Sequence, residues 1–89
     1  MIIFDNDEKG YLTWVEENPE GFVVNTLKTP SRSYLVLHKA TCGTIKTLKK
    51  GNFTTGQYIK VCALDASELE KWAREEVGGI LDACQLCKP

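Results

Sequence analysis

The sequence predicts a small α+β domain of element order α-β-β-β-α, a short antiparallel sheet with helices packed on it. Three observations carry that expectation. Segments with helical caps and helical apolar spacing lie towards both ends of the chain. Runs rich in β-branched residues, bounded by turn residues, lie between them. With 89 residues, the chain makes one thin-cored domain spanning 1–89, which calls for a staple beyond packing.

Residues 7–18 read as the first helix. Asp5 or Asp7 can cap it, acids fill its first turn, and Tyr11, Trp14 and Val15 share one face at i, i+3, i+4. Asn18-Pro19 and Gly21 end it. Residues 22–27 (Phe-Val-Val-Asn-Thr-Leu) suit a strand, Thr29-Pro30-Ser31 a turn, and residues 34–38 (Tyr-Leu-Val-Leu-His) a second strand closing a hairpin. A polar connection over 43–57, with a turn at Gly51-Asn52, leads to a third strand at 58–63. The last helix opens with Asp65-x-x-Glu68, which fits a capping box. It shows an apolar face of Leu69, Trp72, Ala73 and Val77, and stops at Gly78-Gly79.

Charge is segregated along the chain although the net charge is only −1. Residues 1–20 carry six acids against one lysine, and residues 65–89 six acids against three bases. Residues 21–64 carry no acid and seven bases: Lys28, Arg32, Lys39, Lys46, Lys49, Lys50 and Lys60. An acid-free basic middle suits phosphates if its side chains share a face, with Thr54-Thr55-Gly56 in support. Loop lysines are also ordinary solvated residues, and the acidic helices could instead meet a basic protein partner. No apolar run is long enough for a membrane span, and the opening residues lack the features of a signal peptide. The expectation is a cytoplasmic protein with reduced thiols.

Four cysteines and the single histidine form the densest chemical pattern. His38-x3-Cys42 follows the second strand, and Cys84-x-x-Cys87 follows the last helix. Two short-spaced ligand pairs, far apart in sequence, are the usual plan of a structural zinc site. Such a site would make this a zinc-stapled α+β domain with Zn2+ joining the middle of the chain to its end. A thioredoxin-like redox pair would need a helix after the C-x-x-C, and none fits after Cys87-Lys88-Pro89. Disulfides would require export. Cys62, on the third strand, is a fifth potential ligand and an alternative to His38; it also suits a small half-buried strand residue.

The same residues carry a resemblance. His38-x3-Cys42, a strand, a helix with Ala and Trp, a Gly, and the closing Ala83-Cys84-Gln-Leu-Cys87-Lys-Pro89 resemble the metal-binding N-terminal domain of Ada-type DNA repair proteins, over roughly residues 34–89. The resemblance implies a zinc-stabilised module that approaches the DNA backbone, with His38 rather than Cys62 as the fourth ligand. In that family the first cysteine of C-x3-C is the zinc-bound acceptor of a methyl group from a phosphotriester. Here that position is His38, and an imidazole cannot do thiolate chemistry.

Other enzymatic signatures are missing. The chain has no Gly-rich phosphate loop and no H-E-x-x-H, and a metal-binding His38 leaves no histidine for a Ser-His-Asp triad. A catalytic zinc with three protein ligands is conceivable from Cys42, Cys84 and Cys87, but thiolate-rich sites of this spacing are usually closed. The expectation is a non-catalytic zinc module that binds nucleic acid through residues 28–60, with Lys28, Arg32, Lys39, Lys46, Lys49 and Lys50 as contacts. The alternative is a protein-interaction module whose acidic helices meet a partner.

Overall fold

A computed structural model describes residues 1–45 and 51–89. Among these, strand β1 (Ile2–Phe4) precedes helix α1 (Glu8–Glu17), β2 (Phe22–Leu27), β3 (Val36–Lys39), β4 (Tyr58–Ala63), helix α2 (Ala66–Trp72) and β5 (Asp82–Ala83). The strands form one sheet in the order β1-β4-β2-β3-β5. All neighbours are antiparallel except β3 and β5, which run parallel. The α+β class therefore holds, while the order α-β-β-β-α is corrected by two added edge strands and a mixed sheet. At three and two residues, neither edge strand is long enough to show a period of its own.

Strands β2 and β4 occupy the expected positions and pair over their full length, from Phe22 opposite Ala63 to Leu27 opposite Tyr58. Strand β3 starts two residues later than the alternation suggests. A tight turn takes up Ser31–Tyr34, with the Tyr34 N–H donating to the Ser31 carbonyl at 3.1 Å. Gly51 and Asn52 both adopt positive φ, as a turn there requires.

Helix α1 is capped by Asp7, whose carboxylate accepts from the Gly10 N–H at 2.9 Å. Its Glu8 carboxylate reaches across to the chain before β4, accepting from the Phe53 N–H at 2.6 Å, the Thr54 N–H at 2.7 Å and the Thr54 hydroxyl at 3.1 Å. In α2 the Asp65 carboxylate accepts from the Ser67 N–H at 2.9 Å. The capping box is not reciprocal, because Glu68 receives the Met1 ammonium at 2.9 Å. The helix widens to π geometry over Ala73–Val77 and stops at Gly78 in the left-handed conformation.

Strand alternation divides the core between the two faces of the sheet. Val24, Leu37, Val61 and Ala63 point to one face and pack with Leu69, Trp72 and Ala73 of α2 and its extension. Phe4, Val23 and Cys62 point to the other and pack with Tyr11 and Val15 of α1 and with Ile45 and Phe53. Cys42 and Cys84 belong to this second cluster. The ligand candidates thus sit on the α1 face, at the margin of its core.

Candidate metal centre

Sheet register explains how residues far apart in sequence come together. Val23 pairs with His38 on one side and with Cys62 on the other. Strand β5 lies beside β3 on its outer side, with Leu37 opposite Ala83, so the next position brings Cys84 alongside His38. The Cys84 N–H fixes that register by donating to the Leu37 carbonyl at 2.9 Å. The row across this face therefore reads Cys62, Val23, His38, Cys84.

Two turns close over the row. After β3 the Cys42 N–H donates to the Lys39 carbonyl at 2.9 Å, which curls His38–Cys42 back on itself. After β5 the Lys88 N–H donates to the Cys84 carbonyl at 2.9 Å and folds the C-x-x-C into a turn. The Lys39 N–H then donates to the Cys87 sulfur at 3.3 Å, tying one turn to the other. His38, Cys42, Cys84 and Cys87 converge as a result. One ligand atom from each lies within 4.8 Å of all the others, a set that could hold a metal ion.

Burial and hydrogen bonding differ among the four. His38 is 6% exposed and its Nδ1 is shielded from solvent. Cys42 and Cys84 are buried, whereas Cys87 is half-buried. The backbone N–H of Cys87, with that of Leu86 adding to it, holds the Cys84 thiol below the usual thiol range. Burial pushes the Cys87 thiol up to about 11, against the pull of the Lys39 N–H. The Thr44 hydroxyl lies 3.0 Å from the Cys42 sulfur. Backbone and hydroxyl donors around sulfur are what a thiolate ligand needs from its surroundings.

Cys62 is not brought into the cluster. It is 0% exposed in the middle of β4 and two strands away from His38, a separation of about 10 Å at ordinary strand spacing. Burial pushes its thiol up to about 12, as expected of a cysteine serving as a small apolar core residue.

The expected basic contacts fare differently. The Lys28 ammonium pairs with Asp5 at 2.6 Å and donates to the Thr54 carbonyl at 2.9 Å. Lys60, counted in the basic segment, is 3% exposed, donates to Asn25 and Phe53, and lies near the rings of Tyr11, Phe53 and Tyr58. Arg32 and Lys39 are exposed, but they lie towards opposite ends of β3, Arg32 in the turn before it and Lys39 at its last position. Lys46, Lys49 and Lys50 lie outside the described residues. Thr54 is buried and engaged by Glu8, so it does not support a phosphate surface.

The sequence reading did not single out Thr44 or Leu86. A hydroxyl two positions after a cysteine ligand is a weak signal for Thr44. Leu86 is 77% exposed inside the C-x-x-C turn. It borders an open concavity of about 790 Å³ whose wall also includes Lys39, Thr41, Cys42 and Cys87.

No family model, no curated protein and no solved structure matches this chain.

Proposed function

We propose that the chain is a zinc-binding module in which His38, Cys42, Cys84 and Cys87 hold one structural Zn2+, and that the surface beside this centre contacts nucleic acid through its backbone. The convergence of one imidazole and three thiols within 4.8 Å carries the zinc part of the reading. A tetrahedral zinc site sets its sulfur ligands about 3.8 Å apart, so closing the set takes a shift of at most about an ångström. Three sulfurs and one imidazole nitrogen favour zinc over calcium or magnesium, which take oxygen ligands. When bound, the ion supplies a cross-link between the end of β3 and the C-terminal turn. With four protein ligands it has no open position for a water or substrate, which argues for a structural role.

The nucleic-acid part rests on the concavity beside Cys42 and Cys87. Among the described residues its wall carries Lys39 and the Thr41 hydroxyl, and no acid. These are phosphate-contacting groups. The spacing shared with Ada-type modules supports the same direction, while His38 at the acceptor position argues against methyl transfer. Titration of a DNA duplex at rising salt tests the reading. Affinity falling steeply with salt, and weakened by Lys39→Ala but not by Lys28→Ala, is the expected result. No binding at low salt would remove it.

One observation favours a protein partner as the second reading. Leu86 presents an apolar side chain at the same concavity, and exposed leucines are commoner in protein interfaces than in phosphate contacts.

A further inference from the structure

We propose that Cys87 is the peroxide-reactive thiolate of this centre and that it closes to a disulfide with Cys84, releasing the metal. The inference rests on the zinc reading above and adds a modification site to it, with a hydroperoxide as the co-reactant.

Metal ligation removes the thiol proton from all three cysteines. Their order of reaction is then set by access and by how far hydrogen bonds withdraw density from each sulfur. Exposure separates Cys87 from Cys42, and hydrogen bonding separates it from Cys84. Cys42 and Cys87 both border the open concavity, which a molecule as small as hydrogen peroxide can enter, but Cys42, like Cys84, is buried whereas Cys87 is half-buried. Cys84 is held by two backbone N–H groups, those of Cys87 and Leu86. The Cys42 sulfur has the Thr44 hydroxyl at 3.0 Å. Cys87 receives one backbone bond, from Lys39 at 3.3 Å. The resolving thiol is also at hand, because Cys84 lies in the same turn with its sulfur within 4.8 Å.

The chemistry closes without a further reagent. The Cys87 thiolate attacks one peroxide oxygen, the O–O bond breaks, and a sulfenic acid forms as hydroxide leaves. The Cys84 thiolate then attacks the Cys87 sulfur, the S–S bond forms and the S–O bond breaks, releasing a second hydroxide. Two electrons pass from the thiolate pair to the peroxide, and solvent protons neutralise both hydroxides. His38 and Cys42 remain as donors, too few for a closed site. The Cys84–Cys87 turn is then tied to β3 only by backbone pairing and the Lys39 N–H bond to the Cys87 sulfur.

The test uses the zinc-loaded full chain in air-free buffer, treated with hydrogen peroxide. A chromogenic chelator follows zinc, while a sulfenic-acid trap and peptide mass mapping follow the thiols. The expected result is an early trap adduct on Cys87 and one zinc released per Cys84–Cys87 disulfide. Cys62 should stay reduced throughout, and reductant with added zinc should restore the starting state. An adduct appearing first on Cys42 or Cys84, or a disulfide that includes Cys42, would overturn the assignment. So would a chain that keeps its zinc and thiols at peroxide levels that oxidise a free cysteine peptide, and this outcome leaves the zinc reading intact. A chain that neither carries zinc nor takes it up defeats both.

Discussion

His38 and Cys62 lie in one row across the sheet with Val23 between them, paired to each. That single intervening strand decides which of two candidate side chains joins Cys42, Cys84 and Cys87. The parallel strand β5 settles the other side of the row by bringing Cys84 next to His38. The centre is thus a product of register, and its predictions concern what keeps the register in place.

Glu8 is the clamp between α1 and the chain leading into β4. Its carboxylate accepts two backbone N–H groups and one hydroxyl from Phe53 and Thr54, both buried. Glu8→Ala leaves those donors without their acceptor, at a cost of about 3 kcal/mol. Urea unfolding should show a lower midpoint for Glu8→Ala and a smaller loss for Glu8→Gln, which keeps one acceptor oxygen. Equal stability of Glu8→Ala and the parent would show that the clamp contributes nothing.

Gly79 passes against the turn before β3 so closely that a Cβ would lie 2.6 Å from Leu35 Cδ1 and 3.0 Å from Arg32 Cα. The backbone of Arg32 cannot yield as a side-chain tip can. Gly79→Ala should therefore cost about 2 kcal/mol through overpacking and push the start of β5 away from β3. Thermal unfolding measures the cost, and faster amide exchange at Asp82 and Cys84 would report the displaced pairing. Unchanged exchange at those two amides would contradict the account.

Cys62 carries a pH dependence. Burial raises its thiol to about 12, against about 8.5 in an unfolded chain. A raised folded value means that the neutral thiol favours the fold. The contribution is fully present below about pH 8.5 and is lost as the pH rises towards 12, at about 1.4 kcal/mol per pH unit. Buried Tyr11, also raised chiefly by desolvation, acts in the same direction at higher pH. Urea unfolding of the parent and Cys62→Ala at pH 7, 9 and 10 should show the parent's advantage shrinking above pH 9. A constant difference across that range would refute the assignment.

The parts of the fold legible in the sequence were those carrying their own local signal. β2 and β4 show β-branched runs between turn residues, and α1 and α2 show caps at Asp7 and Asp65. β1 and β5 have no such signal, since each exists only through pairing with a neighbour. Lys60 illustrates the same limit at the level of one residue. Its charge reads as surface, yet alternation along β4 turns it into the α1 face, where Asn25 and the Phe53 carbonyl receive it. At the centre, the two ligand pairs were visible as spacing. The preference for His38 over Cys62 followed from its short spacing to Cys42 and from the resemblance, but its structural reason, the number of strands separating each from β5, was not visible.

The zinc content of the purified chain, compared with that of His38→Ala and Cys62→Ala, tests this arrangement most directly. The account predicts one zinc per chain in the parent and in Cys62→Ala, and loss of tightly bound zinc in His38→Ala. Cys62→Ala should be only modestly less stable, by about 1 kcal/mol for a small buried side chain. Zinc retained in His38→Ala and lost in Cys62→Ala would contradict it, placing the fourth ligand on the far side of Val23.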